Sequence, residues 1–196
     1  MRIMFRAISV ILLFCCVTTV EVRSALAVKI VAVVNNDVIT DVDVDDFEKV
    51  LCKLDKRFEC GSQGSRQVAM ITFAESLLKL EHFRQIKIIN DKQLLAEFKN
   101  YKKSVLNSLK LTEGMVPYVF EEYLLAEYLW SVMLSIRTAD KAITDKDIAN
   151  FRSLYPNITG TDEHIRQKIL QNRMTDASQS MISELKTLYL VDIKGL

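Results

Sequence analysis

The chain has 196 residues, a formal net charge of +1, 49% hydrophobic residues, and only five Gly and two Pro. That length gives room for one domain with a real core or two small ones. The even charge balance, with no dominant basic patch, argues against nucleic acid as a partner. The scarcity of Gly and Pro argues against a loop-rich sandwich or a disordered tail, and the expected class is mainly α.

The first 27 residues read as a secretory signal peptide. Arg2 and Arg6 form a positive start, ISVILLFCCVTTV is an apolar run of 13 residues, and Ala25-Leu26-Ala27 supplies a small-x-small cleavage site. Cleavage is expected between Ala27 and Val28, with export of the remaining chain. The apolar run is too short for the roughly 30 Å of a bilayer core, so no stable membrane insertion is expected after cleavage. Phe14 precedes Cys15 and Cys15 precedes Cys16, where a lipoprotein signal calls for a small residue before its Cys. The remaining segment, 28–196, is read as one domain.

Val28 to Phe47, VKIVAVVNNDVITDVDVDDF, opens that domain. Lys29 to Val34 is nearly continuous in apolar residues and reads as a strand buried on both faces. Asn35-Asn36 tolerates the positive φ of a tight hairpin, so Val38-Ile39 can return beside it. Six helices are predicted to follow, at about Asp41 to Leu54, Ser65 to Ile86, Asp91 to Leu109, Glu113 to Thr138, Asp145 to Leu154 and Asp162 to Leu188.

Several of these starts share one order of residues. Ile39-Thr40-Asp41-Val42-Asp43-Val44, Ile89-Asn90-Asp91-Lys92-Gln93-Leu94 and Ile143-Thr144-Asp145-Lys146-Asp147-Ile148 each place an apolar residue before a capping oxygen, acids in the first turn, and an apolar residue one turn on. Leu111-Thr112-Glu113 and Thr161-Asp162-Glu163 are related. This is the chemistry of helix capping rather than an internal repeat. In the second helix Met70, Phe73, Leu77 and Leu80 define one buried face. The fourth helix leaves almost no polar face, which predicts a central position in a bundle. Its aromatic and Met residues Tyr118, Phe120, Tyr123, Tyr128, Trp130 and Met133 are the candidates for either core or a binding surface.

The end of the chain, LYLVDIKGL, alternates Tyr189, Val191 and Ile193 against Leu190, Asp192 and Lys194, as a half-buried strand does. An isolated two-stranded ribbon is marginal in water. The C-terminal strand is therefore expected on the free side of the first strand, giving a small β-sheet that clasps the two ends of a mainly helical domain.

His82 and His164 are the chain's two histidines, and neither sits in a spaced cluster with Cys or carboxylates, so no metal, cofactor or catalytic set is expected. Asp41, Asp43, Asp45 and Asp46 lack the Gly turn and terminal Glu of a calcium loop, and fit a solvated helix start. Cys52 and Cys60 remain after cleavage. An oxidising compartment permits their pairing, and a structural disulfide between them is expected, with two reduced, packed thiols as the alternative. The spacing does not suit a redox-active Cys-x-x-Cys pair.

At this point the residues carry a resemblance. KIVAVVNNDVITDVDVDDF resembles the opening of SurA-like periplasmic chaperones, in which an apolar strand, a turn and a second strand run into an Asp-rich helix. IKIINDKQLLAEF and AITDKDIANF resemble that family's later helix starts, and DEHIRQKILQNRMTDASQSMISELKTLYLVDIK is similar to its C-terminal helix and strand. The resemblance implies ATP-independent binding of unfolded outer-membrane or envelope proteins through an apolar groove. Family members usually insert parvulin-type prolyl isomerase domains between the fifth and sixth helices. This chain has only YPNITGTD there, Tyr155 to Asp162, against the hundred or so residues of a typical domain. The resemblance therefore implies a chaperone core without catalysis. The alternative is an envelope or secreted interaction subunit binding one folded partner, and a homodimer is compatible with either.

Overall fold

The computed structural model describes residues 28–54, 58–139 and 142–194. The expected signal peptide lies outside the described residues, and of the cleavage pair only Val28 falls within them. The fold is mainly α with a small antiparallel sheet. In chain order the elements are β1 (Ile30–Val34), β2 (Asp37–Thr40), α1 (Asp41–Leu54), α2 (Gln63–Gln85), α3 (Lys92–Ser108), α4 (Tyr118–Ala139), α5 (Asp145–Leu154), α6 (Asp162–Leu188) and β3 (Val191–Ile193). Single 3-10 turns at Ile88–Asn90 and Glu113–Met115 precede α3 and α4.

The sheet has the order β2-β1-β3, with the apolar strand in the centre. The hairpin turn is Asn35-Asn36, and Asn35 takes the positive φ of 53°, a conformation Asn adopts more readily than most residues. β3 pairs antiparallel with β1, setting Ala32 opposite Ile193, Val33 opposite Asp192 and Val34 opposite Val191. Asn35 N–H donates to Leu190 O at 2.7 Å and Lys194 N–H to Val31 O at 2.9 Å, extending the clasp beyond the strand at both ends. The β1–β2 register shifts between Ile30 and Ala32. This irregularity breaks the strict alternation of faces, and the consecutive Val31 and Ala32 are both fully buried.

Local chemistry accounts for the helix starts. Thr40 Oγ1 accepts from Asp43 N–H at 3.2 Å while Asp43 Oδ2 accepts from Thr40 N–H at 2.9 Å, a reciprocal capping box at α1. Thr144 and Asp147 repeat it at α5, and Ser62 with Ser65 at α2. Thr161 caps α6. The four carboxylates near the start of α1 are used in place: Asp41 accepts from Lys29 N–H, Asp43 caps, Asp45 pairs with Arg66 at 2.6 Å and Asp46 with Lys49 at 2.7 Å.

Three starts differ from the sequence expectation. α2 begins at Gln63 rather than near Ser65, because Ser62 is its N-cap and Ser65 the reciprocal partner. α3 is capped by Asp91, whose Oδ1 accepts from Gln93 and Leu94 N–H at 2.8 and 3.1 Å, because Ile88–Asn90 is already wound as a 3-10 turn. α4 begins at Tyr118 rather than near Glu113. Pro117 disfavours helical backbone in the residue before it, and Val116 is extended at φ −97°, ψ 117°. Thr112 consequently makes no side-chain cap.

The core gathers around α2 and α4. α4 touches α1, α2, α3 and α6, as its all-round apolar sequence predicts. α2 was expected to bury one face, and the structure encloses it further. Leu77, Leu78, Lys79 and Leu80, four consecutive residues covering every direction around a helix, are all buried, because α1, α4, α6 and β1 each pack against it. α6 has 27 residues and is about 40 Å long. Its C-terminal part, with Met181 and Leu185, belongs to the main core. Its N-terminal part, with Ile165 and Ile169, packs with Ile148 of α5 into a separate small cluster. Gly160, at φ +148°, precedes α6; a Cβ there would come within 2.8 Å of the His164 ring.

Cys52, in α1, and Cys60 are joined as a disulfide with Cα atoms 6.0 Å apart. Directly after it, Gly61 N–H donates to Glu48 Oε1 at 2.9 Å. The Ser65 hydroxyl donates to the same carboxylate oxygen. Glu48 is buried, so these bonds satisfy a carboxylate that would otherwise be costly inside the fold.

Candidate functional site

The six candidate side chains of α4 separate by position. Phe120 is fully buried and stacks near Tyr123, with ring centroids 6.0 Å apart. Tyr123, Tyr128 and Met133 are half-buried and pack against the core. Tyr123 also meets Phe47 edge-on at 5.1 Å, and its burial pushes its phenol pKa up to about 12. Tyr128 leans outward to Phe98 and Tyr101 of α3 and donates to Glu97 at 3.0 Å. Tyr118 is exposed at the other end of the helix, and its hydroxyl donates to Asp43. Phe120, Tyr123, Tyr128 and Met133 thus serve the packing of the bundle, and Tyr118 lies at its surface.

Trp130 differs from them. It is 3% exposed, yet it forms part of the floor of an open groove of about 590 Å³ between α4 and α6. Its indole Nε1–H donates to Ser178 Oγ of α6 at 2.9 Å. From α2 the Lys79 ammonium lies over the indole ring, 5.2 Å from its centroid, a cation–π geometry. Lys79 also donates to Glu127 of α4. Leu134, Leu170 and Met174 complete the apolar part of the groove, and Gln167, Gln171, Thr175 and Gln179 of α6 form its rim.

The groove exists because α6 is long and lies across α4 only in part. Positions 167, 170, 171, 174, 175, 178 and 179 recur at helical spacing, so one continuous face of α6 looks into the groove. The sequence signal for this was faint. Ile165, Ile169, Ala177, Met181, Leu185 and Leu188 mark an apolar stripe along α6 that follows its core residues apart from the exposed Leu188, and the Gln-rich face beside it reads as an ordinary solvated surface. Lys79 gave no signal at all, since a buried Lys is recognisable only from what surrounds it.

A second, more polar recess of about 510 Å³ lies against another face of α6, lined by Arg137, Thr138, Arg173 and Asp176 among others. Among the described residues no group of three or more His, Cys, Asp or Glu side chains could hold a metal ion. No helix among them is long and apolar enough to cross a membrane. Compared with protein-family models, with curated proteins and with solved structures, the chain matches none.

Proposed function

We propose that the chain is a SurA-like chaperone module of the periplasm that holds unfolded outer-membrane or envelope polypeptides without ATP and without a catalytic step. The observation that carries this reading is the α4–α6 groove, open to solvent, with an apolar floor around Trp130 and an uncharged amide rim. A concave, mostly apolar surface with a few convergent polar groups is the usual form of a binding site.

Each large apolar side chain moved from water onto such a floor contributes about 1.5–3 kcal/mol. Immobilising the segment and losing its free motion offset much of that. One short segment is therefore held weakly and reversibly, as a holding chaperone requires. The pairing of β1 supports the same reading. β1 is paired on both sides, so the apolar N-terminal strand is consumed within the fold and does not compete with clients.

The test is suppression of aggregation. A denatured outer-membrane β-barrel diluted into buffer with the purified protein should scatter less light than without it, and several unrelated barrels should behave alike. Protection of one partner alone would move the reading to a dedicated interaction subunit, and protection of none would remove it.

A further inference from the structure

We infer that the α4–α6 groove selects uncharged, extended segments and reads their main chain through the side-chain amides of α6, with Gln171 as a specificity-determining residue. The inference rests on the reading of the chain as a polypeptide binder and adds which polypeptides it takes.

The groove face of α6 runs from Gln167 to Gln179, which spans about 18 Å at 1.5 Å per residue. An extended chain advances about 3.3 Å per residue, so some five or six residues lie along it. Among the described residues the groove is lined by two formal charges, Lys79 and Glu127, and they pair with each other. Lys79 is 7% exposed, so its charge is already compensated at the floor. A charged side chain entering the centre would lose hydration and find no free counter-charge. The complementary occupant is neutral there.

A Gln amide offers two donors and an acceptor, the same groups a main chain presents. Gln167 already donates to Glu163 at 3.0 Å, which leaves its oxygen as acceptor, while Gln171 and Gln179 are exposed along the same edge. These amides recognise a main chain only where its N–H and C=O groups are free. A helical occupant satisfies its own along most of its length, so the extended form is favoured. Trp130 spends its N–H on Ser178 and offers no further donor, so it acts as apolar floor. Met174 and Leu170 beside it are half-buried, and the flexible thioether adapts to side chains of different shape.

Trp130 is the chain's single tryptophan, so its fluorescence reports the groove directly. The full-length exported protein is titrated with three nonapeptides. One is neutral with a central Phe between Ser and Thr residues, the second carries Asp in place of the Phe, and the third is the Phe peptide N-methylated along its central main chain. The Phe peptide should shift the Trp130 emission and saturate, with the other two weaker by about tenfold or more. Gln171→Leu, on the exposed rim, should keep the thermal melt, weaken the Phe peptide several-fold and narrow its advantage over the N-methylated one. Equal binding of the Asp or the N-methylated peptide, an unchanged Gln171→Leu titration, or a silent Trp130 would overturn the inference. A silent Trp130 with aggregation still suppressed removes the groove assignment and leaves the holding function. Failure of both removes both.

Discussion

Val34 in β1 and Val191 in β3 stand opposite one another in the sheet, joining the two ends of the described chain. Tyr189, just before β3, packs on the main core, and Leu190 O and Lys194 N–H add the flanking bonds to Asn35 and Val31. Truncation after Lys186 removes all of these. It uncovers one side of β1, where each buried unpaired backbone group costs about 1–3 kcal/mol. Against a usual total of about 5–15 kcal/mol, the truncated protein should lose its cooperative melt and aggregate through the open edge. A melt within a few degrees of the intact protein would show that the clasp is dispensable.

The Cys52–Cys60 bridge closes a loop of about nine residues, for which chain entropy gives roughly 2.6 kcal/mol. Gly61, which donates to buried Glu48, sits at φ +79° directly after the bridge. Replacing both cysteines with Ser should lower the melting temperature by about 5–10 °C, at 2–4 °C per kcal/mol for a chain of this size. Comparison with the wild type under reducing conditions checks it, since the reduced wild type should fall by a similar amount.

Glu122 of α4 is half-buried. Burial pushes its carboxyl above the ordinary value, Arg84 at 3.9 Å draws it partly back, and Asp37 and Asp43 push it further up. A carboxyl raised in the folded state contributes stability that is fully present below its unfolded pKa and lost as pH rises through the folded pKa. Glu122→Gln should therefore melt like the wild type at about pH 3.5 and higher than it at pH 7. A variant less stable at pH 7 than the wild type would mean that the Arg84 contact outweighs burial.

α5 is held by the small cluster of Ile148, Ile165 and Ile169 and by surface pairs such as Arg166–Asp145 at 2.7 Å and Arg152–Asp162 at 2.8 Å. Exposed pairs of this kind contribute little, about 0–1 kcal/mol each. α5 should open at lower free energy than the main core. Ile165→Ala, with a usual cost of about 2–5 kcal/mol, should release protection across Asp145–Leu154 in hydrogen exchange while amides of β1 and α2 stay protected. Equal loss in both regions would make the two clusters one cooperative unit.

The sequence alone determined where α1, α5 and α6 begin and end, that Lys29 to Val34 is a central strand, and that the C-terminal strand has a place beside it. Capping, periodicity and the continuous apolar run of a strand are local properties, decided within about one helical turn or one strand. Tertiary structure decided what those elements enclose. The six apolar candidates of α4 look alike in sequence, and only the partial crossing of α6 makes Trp130 a groove floor while Phe120 becomes core and Tyr118 surface. Lys79 is buried because Trp130 and Glu127 approach it from another helix 48 or more residues away in the chain. Pairing between distant elements lies outside the reach of any local pattern, and it is the register of those pairings that turned an ordinary polar face of α6 into the rim of a groove.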